Sequence, residues 1–89
     1  METTFDLGRI VITSNAERTL DRHDVMMAMK RHATRDWGDI CDEDRRINES
    51  ALKDGERILS AYSDSRNVRF WIITEADRSV TTVLLPEDH

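Results

Sequence analysis

The chain has 89 residues, 38% hydrophobic and 35% charged, with thirteen Lys and Arg against eighteen Asp and Glu for a net charge of −5. That length supports one domain with a thin core, hiding only roughly 60–65% of its unfolded surface, so a homodimer that completes the burial is expected. The acidic balance argues against direct nucleic-acid binding, the lone Cys41 excludes an internal disulfide, and no run of about 18 apolar residues is present to cross a membrane. The opening METTFDLGRI lacks a basic segment followed by an apolar run, so a cytoplasmic protein without a leader is expected.

Phe5–Thr13 (FDLGRIVIT) alternates as a strand, with Phe5, Leu7, Arg9, Val11 and Thr13 on one face and Gly8, Ile10 and Ile12 on the other. Gly8 has no side chain to pack and marks a bulge. Ser14-Asn15-Ala16-Glu17 has the form of a capping box, in which Ser14 and Glu17 each satisfy a free backbone amide, so a short helix to about Leu20 follows. Asp21 and Asp24 suit the start of a second helix, with Val25, Met26, Met29 and Ala33 at inward spacing. Trp37 and Ile40 then anchor an irregular TRDWGDIC segment. Asp42 is expected to cap a third helix running to about Asp54, with Ile47, Ala51 and Leu52 inward, and Gly55 ends it in a left-handed conformation.

The remainder reads as strands. Arg57–Tyr62 (RILSAY), Val68–Thr74 (VRFWIIT) and Val80–Leu85 (VTTVLL) are rich in β-branched or aromatic residues, separated by the turn formers SDSRN and EADR, and closed by Pro86. The strand from Val68 is apolar on both faces, so it is expected to be central, with Val68, Phe70, Ile72 and Val80 inward. The predicted fold is a single α+β domain over residues 1–89: an antiparallel sheet of three to four strands, in the order β-α-α-α-β-β-β, with helices packed on one face.

The search for chemistry is mostly negative. His23, His32, Cys41 and His89 form no pair with metal-ligand spacing. Gly8, Gly38 and Gly55 are scattered, so no phosphate-cradling loop is present and no cofactor is expected. Cys41 would sit amid carboxylates, which disfavour a nucleophilic thiolate. One catalytic alternative stands: a metal-independent, toxin-type ribonuclease with His32, Arg57, Ser60, Tyr62 and Thr81 on an open sheet face, stabilising a phosphate and moving protons. The acidic charge weighs against it, because such an enzyme must hold RNA.

The strings DWGDI at 36–40, GERILSAY at 55–62 and WIITEADRSVTTVLLPED at 71–88 resemble a family of small bacterial proteins carried on plasmids, prophages and integrative elements. The resemblance covers nearly all of the chain from Arg31 onward. It implies the α+β fold and a mobile-element setting, and it implies no particular reaction.

Together these features favour a non-enzymatic protein-binding module over an enzyme. Asp36, Asp39, Asp42, Glu43 and Asp44 place five carboxylates in nine positions, and are expected to oppose a basic surface on a host protein. The outer face of the central strand, carrying Arg69, Trp71 and Ile73, is expected to be exposed and to meet a second subunit or partner. An inhibitor of a host system that targets nucleic acid, of the anti-restriction or anti-CRISPR type, would combine these features.

Overall fold

A computed structural model describes residues 3–89. The element order follows the sequence: β1 (Arg9–Ile12), α1 (Ser14–Thr19), α2 (Arg22–Ala33), α3 (Asp42–Asp54), β2 (Ile58–Ser63), β3 (Arg69–Thr74) and β4 (Val80–Leu84), then a 3₁₀ turn at Pro86–Asp88. The fold is α+β. The four strands form one sheet in the order β1-β4-β3-β2. β2, β3 and β4 are an antiparallel meander, as expected, whereas β1 joins the far side of β4 in parallel, so the sheet is mixed. β3 is an internal strand.

Gly8 explains why β1 is short. Its φ is +65°, and a Cβ there would collide with the Ser79 carbonyl. The chain turns sharply instead of bulging, and the strand begins only at Arg9. Phe5 and Leu7 therefore leave the strand face and drop into the helical layer, where Leu7 is buried. The cap of α1 shifts by one residue from the expected box: Thr13 takes the role, its hydroxyl accepting from the Ala16 amide at 3.2 Å. Asp21 caps α2 through the Asp24 amide, as its short acidic side chain suggests. At α3 the cap residue is Cys41, without a side-chain bond, and Asp42 is already helical. Gly55 ends that helix at φ +69°.

The helix-covered face of the sheet carries Tyr62, Phe70, Ile72 and Val83, packed on Leu20, Ala28, Met29 and Ala33. A smaller cluster joins Trp37, Ala51 and Ile58, with Phe5, Ile40 and Leu52 at its margin. Fully burying a side chain the size of Phe70 or Ile72 stabilises the fold by about 1.5–3 kcal/mol, so these few residues carry much of the driving force in so polar a chain.

Several inward assignments change. Val80 pairs with Arg9 and shares the opposite face with Thr82 and Leu84, because register places Thr81 and Val83 beside Thr74 and Ile72. Met26 is 54% exposed and Ile47 equally so, while Asn48 is buried. Arg78 ties the β3–β4 turn to α3, donating to the Ala51 carbonyl at 3.0 Å and to the Glu56 carbonyl at 2.7 Å.

Candidate functional site

Of the five residues expected on an open sheet face, His32, Ser60 and Thr81 are brought together, and they meet inside the protein. His32 projects from α2 onto the helix-covered face, where Ser60 of β2 and Thr74 of β3 meet it. Nδ1 bonds the Ser60 hydroxyl, and Nε2 lies 2.8 Å from the Thr74 hydroxyl. Thr74 continues to Thr81 at 2.8 Å, and Thr81 donates to the Leu7 carbonyl at 2.6 Å. His32, Ser60, Thr74 and Thr81 are all fully buried, and the rings of Phe5 and Trp37 close edge-on around the imidazole. Burial pushes the His32 pKa down to about 4, so the ring is neutral at pH 7.

None of these four side chains is exposed to solvent. Tyr62 is buried too; its hydroxyl donates to the Asp36 carbonyl at 2.7 Å, and burial raises its pKa. Arg57 is exposed just before β2, apart from the others. These hydroxyls and the imidazole satisfy one another across three elements; they hold α2 to the sheet.

The acidic segment divides. Asp36 accepts from Arg31 Nε at 2.8 Å and from the Gly38 amide, and the Arg31 guanidinium holds its carboxyl below the usual range. Asp36 is therefore already partnered inside the chain. Asp39, Asp42, Glu43 and Asp44 are exposed; Asp42, with its side chain 90% accessible, makes a 3.9 Å contact to Arg45. Glu43 and Asp44 also sit in the first turn of α3, where the helix dipole favours them.

The predicted apolar outer face is less open than expected. Ile73 is only 3% exposed, in register between Leu59 and Thr82. Trp71 is half-buried, with the His89 ring edge-on at 5.6 Å. Arg69 is exposed and donates to the Asp39 carbonyl at 3.0 Å. Neighbouring strands and the C-terminal turn have taken up much of this apolar surface.

What the sequence reading missed lies at the two edges of the sheet. The β2 edge is closed. The Asn48 side chain donates to the Leu59 carbonyl at 2.8 Å and accepts from its amide at 3.2 Å, standing in for a neighbouring strand. Two residues on, Ala61 is bridged by Trp37 and Asp39, with Gly38 pressed against it where a Cβ would collide with the Ala61 carbonyl. The β1 edge is open. Arg9 and Thr13 donate to Ser79 and Val83 of the β4 side, so strand alternation turns the amides and carbonyls of Ile10 and Ile12 outward. The side chains of Ile10 and Ile12, 50% and 37% exposed, line an apolar groove of about 580 Å³ with Leu20, Val25, Met26 and Met29. Glu17, Arg22 and Lys30 are also on its walls.

Three consecutive apolar β-branched residues, Ile10-Val11-Ile12, were a signal that both faces of β1 meet something. Their edge position depends on the parallel pairing with β4, which local alternation does not reveal. Among the described residues no group of three or more His, Cys, Asp or Glu side chains is placed to hold a metal ion, and no helix is long and apolar enough to cross a membrane. No protein-family model, curated protein or solved structure matches the chain.

Proposed function

We propose that this chain is a non-enzymatic protein-binding module of mobile-element origin, acting on a host factor. The observation that carries this reading is the contrast between the two edges of the sheet. One edge is sealed by the Asn48 amide and the Gly38 bridge; the other offers the outward amides and carbonyls of Ile10 and Ile12, unpaired among the described residues, beside an apolar groove. An open edge next to exposed Ile10, Ile12 and Met26 is a template for an added strand, and natural proteins usually block such an edge unless it is used.

The acidic side chains lie along the sealed side, around the segment that bridges β2, and so at the opposite edge of the sheet from the groove. Asp39, Asp42, Glu43 and Asp44 there suit a basic surface, such as the nucleic-acid channel of a restriction or CRISPR nuclease. The finer reading is therefore an inhibitor that covers such a channel.

The test is affinity capture from host lysate with the wild type, an edge variant (Ile12→Lys) and an acidic-end variant (Asp39, Asp42, Glu43 and Asp44 to Lys). The expected result is capture of the same host protein by wild type, sensitive to added salt, and its loss with the acidic-end variant while circular dichroism stays native. If both variants capture the same proteins as wild type, the binding-module reading fails at these surfaces.

A further inference from the structure

We infer that the open β1 edge takes a second copy of this chain, β1 pairing antiparallel with β1 about a two-fold axis through Val11. The inference deepens the binding-module reading and rests on the β1 edge being a contact surface.

Self-complementarity follows from which peptide groups are free. Ile10 and Ile12 both present their amide and carbonyl outward, two residues apart on one edge. Antiparallel pairing centred on Val11 sets Ile10 opposite Ile12 of the second copy, and Ile12 opposite its Ile10. Each outward amide then meets an outward carbonyl, giving four ladder hydrogen bonds and leaving none of these groups unpaired. On the helix side, the Ile10 and Ile12 side chains of both copies fall against one another, and the two apolar grooves become one enclosed space.

Charge selects the same register. It places Arg9, which lies on the face away from the helices, directly opposite Thr13 of the second copy. Thr13 is still extended, at φ −67° and ψ 152°, and its hydroxyl donates to the Asp88 carboxylate at 2.7 Å. Asp88 also accepts from Asn15 at 3.1 Å and from the Leu85 amide, and the Thr13 bond foremost holds its carboxyl below the usual range. Arg9 is exposed and has no ion-pair partner among the described residues. The two-fold brings Arg9 to the Asp88 cluster of the second copy, and does so twice. A register shifted by two residues would lose both the pairing of Ile10 with Ile12 and this charge match. In the resulting eight-stranded sheet, the acidic segments sit at the two outer edges.

Sedimentation velocity across the micromolar range, with amide hydrogen exchange at low and high concentration, tests the assembly. The expected result is a dimer in which the Ile10 and Ile12 amides gain protection with concentration while the Leu59 amide does not change. Ile12→Lys removes the dimer, and Arg9→Glu, on an exposed side chain that folding does not use, weakens it by about tenfold through its two symmetric positions. A chain that stays monomeric at high micromolar concentration overturns the proposal, as does a dimer that survives Ile12→Lys but is lost in Trp71→Glu. If the chain is monomeric but Ile12→Lys abolishes capture of a host protein, the second copy is wrong and the strand-edge reading stands. If it is monomeric and Ile12→Lys captures as wild type does, both fall.

Discussion

His32 shows how one buried residue sets a pH limit on the whole fold. Its pKa is held down to about 4 by burial, against 6.5 for a free side chain, so the unfolded chain binds a proton that the folded chain refuses between those values. Stability is therefore complete above about pH 6.5 and falls as pH drops toward 4, by on the order of 3 kcal/mol from this group. Asp36 and Glu49, held below their usual range mainly by Arg31 and Arg35, lose their contribution only in a lower window. Urea unfolding at pH 7, 5.5 and 4.5 checks the slope. His32→Asn should be less stable at pH 7 and nearly flat across this range; a wild-type slope retained in the variant would place the titrating group elsewhere. The sequence groups His32, Arg57, Ser60, Tyr62 and Thr81 on one open face; Arg57 and Tyr62 stand outside the one buried chain of contacts that bonds His32, Ser60 and Thr81. It could not show that Phe5 and Trp37 would close over them, because that enclosure depends on Gly8 turning Phe5 out of its strand.

At the level of elements, helices and strands were legible because each has its own local signal: Asp21 as a cap, Gly55 as a stop, and turn formers between β-rich runs. Faces and edges were less so. Ile47 and Asn48 are adjacent in α3, and hydrophobicity put Ile47 inside. The helix presents Asn48 instead, because the β2 edge needs a donor and an acceptor more than that margin needs another apolar side chain. Asn48→Ala should destabilise by about 2–3 kcal/mol, since it orphans both the amide and the carbonyl of Leu59, while Ile47→Ala should stay within about 0.5 kcal/mol. Denaturant midpoints of the two variants give the comparison, and a larger loss for Ile47→Ala would reverse this assignment. Asn48→Ala also unblocks the second edge, so concentration-dependent aggregation should rise with it.

For the whole molecule, the sequence order left the place of β1 undecided, because an N-terminal strand can add at either end of a three-strand meander. It pairs with β4, in parallel, while the outer edge of β2 is taken by Asn48 and the Trp37–Asp39 segment. That choice fixes everything at the open edge, and it also sets an order of events. The Thr81 hydroxyl reaches the Leu7 carbonyl 74 residues back, and β1 has no other strand to pair with. β2, β3 and β4 close through short turns at little entropic cost, whereas β1 must wait for the last strand and close nearly the full chain. During synthesis, β1 and the first helices therefore leave the ribosome with no sheet to join until Val80–Leu84 has emerged. Truncation before Val80 should leave the N-terminal third protease-sensitive, and in refolding followed by pulsed amide exchange the Val11 amide should gain protection after those of β3. Early protection of Val11 would mean that β1 finds its place before the meander is complete. On the expected order, the strand that opens the chain is the last piece of the sheet to be laid down, and the edge it brings becomes available only once the rest of the fold is finished.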